Sequence, residues 1–205
     1  MARQEVPTRA ATLDDLEAVT DTLTLAFEDD PVWGGWAFPD IDRDRAREQR
    51  RAFWAYLVRS GLRFPWVRLT LGGETAALWQ PLGEPELTTD EEEGLEAFIR
   101  ELIGDHADVF MEGLAAFEEA TPEEPHYHLD LLGTHPAHRG KGIGMAMVET
   151  DLRRVDAEGA PTYLESTNPA NVARYERAGF RRIGSFTLPR GPVVDTMWRE
   201  PRGAT

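Results

Sequence analysis

Two short stretches of this 205-residue chain hold the residue types and spacings best suited to chemistry. The first is His138-Arg139-Gly140-Lys141-Gly142-Ile143-Gly144, which follows an apolar run over residues 129–134 and opens into a helical pattern over 145–155. Strand, glycine loop and helix is the order a phosphate cradle needs. Glycines let the backbone bring several N–H groups to anionic oxygens, and a new helix adds roughly half a positive charge at its N-terminus. Arg139 and Lys141 add full charges, and Lys141 is the only lysine among 22 basic residues. A nucleotide-hydrolase P-loop does not fit, because no Lys-Ser or Lys-Thr ends the glycine run and Lys141 lies inside it.

The second stretch, His126-Tyr127-His128-Leu129-Asp130-Leu131-Leu132, leads into that loop. A strand repeats every two residues, so His126, His128 and Asp130 are expected on one face and Tyr127, Leu129 and Leu131 on the other. A polar row of this kind serves as a solvated strand face, a metal site or a set of catalytic bases. Metal binding needs three or four converging ligands, and His135 and His138 lie beyond the turn, so no metal is expected. The chain has no cysteine, which excludes disulfides, thiolate metal sites and a cysteinyl intermediate in any acyl transfer.

The surrounding elements can be read from periodicity and punctuation. Residues 6–11 predict a first strand. Thr12 then caps a helix whose Leu13, Leu16, Val19, Leu23 and Phe27 share one face. Glu28-Asp29-Asp30-Pro31 ends it, and residues 32–39 read as an aromatic loop with Trp33 and Trp36, which either cover the core or line an acceptor pocket beside Asp30. A second helix is predicted over 42–62. Strands at 66–71 and 75–80 flank Gly72-Gly73 as a hairpin. The acidic stretch 88–120 carries helical stripes and reads as a helical insertion, with His106 on a helix face. A strand over 162–167, a helix from Asn168 to Ala178 containing Tyr175, and a closing hairpin of 181–188 with 193–198 complete the order. The tail, 201–205, reads as disordered.

Composition bounds the rest. With 41% hydrophobic residues the chain can form one domain over 1–205. The start, residues 1–7, has no apolar core of signal-peptide length and no run approaches the roughly 20 apolar residues of a membrane span, so a soluble, cytoplasmic protein is expected. A net charge of -15 argues against nucleic-acid or anionic-membrane partners and favours a cationic one.

Arg139-x-x-Gly142-x-Gly144 after a strand, then a helix, a second strand, Asn168, and Tyr175-Glu176-x-x-Gly179-Phe180 resembles the GCN5-related N-acetyltransferase (GNAT) superfamily over nearly the whole chain. Within it the chain is similar to the puromycin N-acetyltransferase branch through Asp14-Asp15, Ala26-Phe27, Pro136-x-His138-x-Gly140-Lys141-Gly142, Leu164-Glu165 and Tyr175-Glu176-Arg177-x-Gly179-Phe180. One position departs. The aromatic which that enzyme carries before its loop proline is Asp30 here, so the acceptor is not carried over.

The resemblance implies an α/β (α+β) fold, with a mixed, mostly antiparallel sheet flanked by helices and splayed between the fourth and fifth strands. It implies acetyl-CoA as co-substrate. The pantetheine arm would lie along Leu131, Leu132, Gly133 and Thr134, the pyrophosphate on the amides of Arg139, Gly140, Lys141, Gly142, Ile143 and Gly144, and Asn168 and Asn171 would complete the cofactor site. His128 and Asp130 occupy positions like those of the histidine pair in arylalkylamine N-acetyltransferases and would carry the amine's proton, with Glu165 as second choice. Tyr175 would protonate the departing thiolate. Asp30, Trp33 and Trp36 would bound the acceptor pocket. The expected function is direct acetyl transfer to a small-molecule primary amine, such as an aminonucleoside antibiotic or another cationic amine, with a role in antibiotic resistance. A non-catalytic acyl-CoA sensor and a protein lysine or N-terminal acetyltransferase are the alternatives, as a monomer or homodimer.

Overall fold

The computed structural model describes residues 6–203. Residues 1–5 of the start and the last two tail positions, Ala204 and Thr205, lie outside the described residues. Among the described residues, seven strands form one sheet in the order β1-β2-β3-β4-β5-β7-β6. They are β1 (Thr8–Ala10), β2 (Val67–Thr70), β3 (Thr75–Gln80), β4 (Tyr127–Thr134), β5 (Thr162–Ser166), β6 (Arg181–Thr187) and β7 (Val193–Arg199). Every pairing is antiparallel except β4 with β5, which run parallel. Among these residues, no helix is long and apolar enough to cross a membrane.

Helices cover both faces. α1 (Leu16–Ala26), α2 (Arg43–Gly61), α3 (Thr89–Ile103) and α4 (Ala107–Ala120) pack over a core that includes Val19, Leu23, Phe53, Trp54, Ile99 and Phe110. α5 (Ile143–Ala157) and α6 (Pro169–Ala178) seal a second core containing Met147, Leu152, Leu164 and Tyr175. Their ends follow from local chemistry. Asp42 caps α2 by accepting from Asp44 N and Arg45 N, Thr88 and Glu91 make a reciprocal capping box for α3, and α6 has Asn168 as its cap with Pro169 in the first turn. Gly179 ends α6 with φ 104°, a conformation that favours glycine.

Three expectations are corrected. Residues 32–39 are no plain loop: Pro31–Trp36 forms a π-helical turn whose cap is Asp30, accepting from Val32 N at 3.0 Å and Trp33 N at 3.1 Å. Trp33 is only 8% exposed and packs against Phe53, Trp54 and Phe117, so it belongs to the core. The start of the tail is docked, with Arg202 N donating to Asp156 Oδ1 at 2.8 Å and its guanidinium to the Ala178 carbonyl at 3.3 Å.

Candidate functional site

The sheet is held open at one place, and the polar row lies there. β4 and β5 share only two register pairs, Tyr127 with Thr162 and His128 with Tyr163; beyond them the strands part. On its other edge β4 stays paired with β3 as far as Thr134, but with an irregularity. Trp79 faces Leu129 while Leu78 faces Leu131, so Asp130 is an extra residue on β4, a two-against-one bulge. The bulge corrects strict period two: Leu129 packs in the α5 core, whereas Leu131 packs in the α1 and α2 core.

His128 spans the gap between the strands. Its Nδ1 lies 2.9 Å from Asp130 Oδ1 and its Nε2 2.6 Å from Glu165 Oε2. The ring packs on Tyr163 at 5.1 Å between centroids. With a carboxylate at each ring nitrogen, the imidazolium is the form that donates to both. Burial works against that charge, but attraction from Glu165 and Asp130 and their hydrogen bonds outweighs it and holds the ring well above its ordinary value. His128 is therefore occupied as a double donor and is a poor first choice of base. Asp130 is pushed upward, chiefly by burial and further by Glu165, with His128 opposing. Asp130 Oδ2 and Glu165 Oε1 are buried and have no hydrogen-bond partner among the described residues. One imidazolium against two carboxylates leaves excess negative charge.

Two nearby residues modify this picture. His126 is half-buried and turned to Glu124 O, Trp198 and Tyr163, and burial lowers its pKa, so it stands as a packing ring outside the clamp. Glu86, from the loop 81–88 between β3 and α3, was not anticipated; a solvent-facing loop glutamate carries no sequence signal. Desolvation of the carboxyl on its protein-facing side, then repulsion from Asp130, with His128 opposing and Glu165 adding, push it up to about 8. The residue is exposed, and water reaching it screens these charges and tempers the rise.

The glycine loop folds as its sequence requires. Gly140 and Gly142 take φ 79° and 75°, and α5 begins at Ile143 with Gly142 as its cap. Gly144 lets that helix approach β4, since a Cβ there would lie 2.9 Å from Thr134 Oγ1. Arg139 is partly engaged, donating to the Ala26 carbonyl at the end of α1 at 2.6 Å. Lys141 stays exposed beside His138. Asn168 caps α6 through Ala170 N at 3.0 Å, and Asn171 accepts from Arg174 at 2.6 Å.

Tyr175 is buried in α6 with its ring against Phe180 at 6.0 Å. Burial, then the charge of Asp30, with Arg174 opposing, push its phenol up to about 12, so it stays protonated near neutrality. Asp30 itself receives the Thr167 hydroxyl at 2.9 Å and is raised mainly by burial. Both Asp30 carboxylate oxygens are engaged inside the fold, and Trp36 is partly buried with its Nε1 donating to the Pro189 carbonyl at 2.8 Å. The structure thus brings together His128, Asp130 and Glu165, and leaves Asp30 and Trp33 as framework.

Residues 74–180 match the acetyltransferase (GNAT) family, and the chain belongs to it. Among solved structures, a protein described as histone acetyltransferase HPA2 and related acetyltransferase from Corynebacterium glutamicum superposes with a TM-score of 0.72 at 22% identity, covering 98% of this chain and 99% of that one. A polyamine N-acetyltransferase of Drosophila melanogaster that forms N-acetylagmatine does so with a TM-score of 0.67 at 19% identity over 95% and 99%. By sequence, the mycothiol acetyltransferase of Streptomyces avermitilis is 42% identical over 53 residues, 24% of this chain but 17% of that protein. Acetyltransferase Atu2258 of Agrobacterium fabrum is 36% identical over 78 residues, 37% of this chain and 55% of that protein.

Proposed function

We propose that this chain transfers an acetyl group from acetyl-CoA directly to a primary amine of a small cationic molecule. The observation that carries the reading is the His128 clamp, which leaves two buried, unpartnered carboxylate oxygens where β4 and β5 part. Such oxygens in a site of excess negative charge accept N–H groups from an ammonium.

The chain also fits the co-substrate. Past His128 the β5-facing edge of β4 has no strand partner among the described residues, so the backbone of Leu131, Leu132, Gly133 and Thr134 is open on that side for the amides of a pantetheine arm. The amides of Gly140 to Gly144, turned by two glycines into the start of α5, suit a pyrophosphate. Bound acetyl-CoA supplies an activated acetyl thioester.

The residues then divide the work. Asp130, its pKa already raised, takes a proton from the ammonium at Oδ2, while Glu165 Oε1 holds a second N–H. His128 keeps both carboxylates in place from their other oxygens. The freed amine attacks the acetyl carbon, the carbon–nitrogen bond forms, the nitrogen gives its second proton to solvent, and the carbon–sulfur bond breaks. Tyr175 donates its proton to the departing sulfur and regains one from solvent; burial that raises the phenol raises a thiolate beside it too, which keeps the transfer matched.

Neighbours of this fold are named for agmatine and polyamine acetylation, and the puromycin-like motifs add aminonucleosides, so cationic amines head the substrate panel. Thiol release from acetyl-CoA is expected with at least one of agmatine, polyamines, arylalkylamines, aminonucleosides or aminoglycosides. Tight CoA binding with no release on any amine contradicts the proposal in favour of an acyl-CoA sensor, and release on peptides alone contradicts the small-molecule acceptor.

A further inference from the structure

We propose that Glu86 is the exit for the acceptor amine's proton, receiving it from Asp130 through one water held between them. This rests on the amine-acetylation reading above and adds a relay residue to it. A cavity of about 10 Å³, the room of a single water, is lined by Asp130 and Glu86 together with Leu57, Gly61, Phe64 and Leu78. Of its lining residues, Asp130 and Trp79 each carry a buried side-chain polar atom with no partner among the described residues, Oδ2 and Nε1 respectively. A water in this cavity would satisfy that oxygen and reach the glutamate.

Glu86 is built to stand at the outer end. Its carboxyl makes no hydrogen bond or ion pair with a described residue, while its backbone is fixed: Arg63, in the turn after α2, donates to the Pro85 and Glu86 carbonyls, both at 3.0 Å. Gln80 closes the near side of the loop by donating to Glu84 O at 2.6 Å. The loop is thus pinned at both ends of the cavity with the Glu86 side chain left free. Toward the protein it faces Asp130 and His128 of β4 and Glu165 of β5, while Arg63, in the turn after α2, has its guanidinium spent on carbonyls. Toward solvent it is exposed.

The step balances as a proton transfer. The ammonium gives one proton to Asp130 Oδ2, Asp130 gives one to the water, and the water gives one to Glu86, which releases it to bulk. No bond other than O–H and N–H changes. Without the relay, Asp130 has the imidazolium on its other oxygen and sheds its proton only when the acceptor leaves.

The test is Glu86→Gln, which keeps size and the pinned loop. We expect kcat to fall at least about tenfold with KM for acetyl-CoA unchanged, since proton routes carry factors of this order or larger. The lost rate should return as imidazole or acetate buffer is raised, whereas the unsubstituted protein should be indifferent to buffer concentration. In the free protein, NMR titration of the His128 ring should move to lower pH in Glu86→Gln, because a neighbouring carboxylate has been removed. A His128 titration that does not move overturns the proposal whatever the turnover. So does an active unsubstituted protein whose Glu86→Gln variant keeps full kcat between about pH 6 and 9 with no buffer dependence. An unsubstituted protein that acetylates no amine sinks the acetylation reading and the relay together; an indifferent Glu86→Gln variant sinks the relay alone.

Discussion

Beneath α5, Arg68 and Asp151 form a buried ion pair, with Arg68 Nε 3.3 Å from Asp151 Oδ1 and the side chains 4% and 0% exposed. On the α2 side of the sheet, His128, Asp130 and Glu165 form another buried charged group. Both contain carboxylate oxygens without a hydrogen-bond partner among the described residues. They differ in access and in sign. Asp151 is sealed under a helix and answered by two arginines, Arg68 and Arg154 at 3.8 Å, so positive charge is in excess. The His128 group lies where strand pairing ends, with carboxylates in excess. Buried charge alone therefore does not make a site; an opening in the sheet and an uncompensated sign do.

That contrast can be broken by substitution, starting with the largest effect. Asp130→Asn should lower kcat by about 10² to 10⁴, the range of a positioned acid or base, with the fold intact by circular dichroism. Asp151→Ala should do the reverse, costing about 3–5 kcal/mol in denaturant unfolding by leaving Arg68 buried without its partner, while kcat per folded molecule stays unchanged. If Asp151→Ala abolished activity in folded protein, the two clusters could not be separated in this way.

Smaller effects sharpen the picture. Tyr175→Phe should lower turnover by about 10² with acetyl-CoA binding unchanged, read by single-turnover kinetics beside a binding titration. His128 gives a pH signature in stability. Its folded pKa lies above the ordinary value, so the clamp's contribution is complete below about pH 6.5 and is lost as pH rises through the folded value. The stability gap between the unsubstituted protein and His128→Gln should therefore narrow toward alkaline pH; a gap that widens means the ring is neutral in the fold. Lys141→Glu should weaken CoA binding by about fivefold, more at low salt, because the side chain is exposed and screened.

Much of this was legible in the chain. Alternation identified the strand bearing His128 and Asp130, the glycines marked the turn into α5, and the order of elements gave the fold. The bulge at Asp130 was not legible, because one unpaired residue leaves no mark in a pattern of period two, and it moves Leu131 to the opposite core. Nor was the clamp's geometry: Asp130 and Glu165 lie on different strands, and only the early end of β4–β5 pairing lets one ring reach both. Trp33 and Asp30 sit among aromatic and acidic neighbours in sequence, which fits a pocket as well as a core, and the π-helical turn that buries them needs contacts from α2 and α4 to form. Glu86 belongs to the site only through folding of its loop.

The most direct test is acetyl transfer by the Asp130→Asn, Glu165→Gln double variant, set beside its affinity for CoA. Removing both unpartnered carboxylates should abolish amine acetylation and leave CoA binding unchanged, since the β4 edge and the α5 amides are untouched. A double variant that acetylates cationic amines at the unsubstituted rate would contradict the assignment of the β4–β5 opening as the acceptor site.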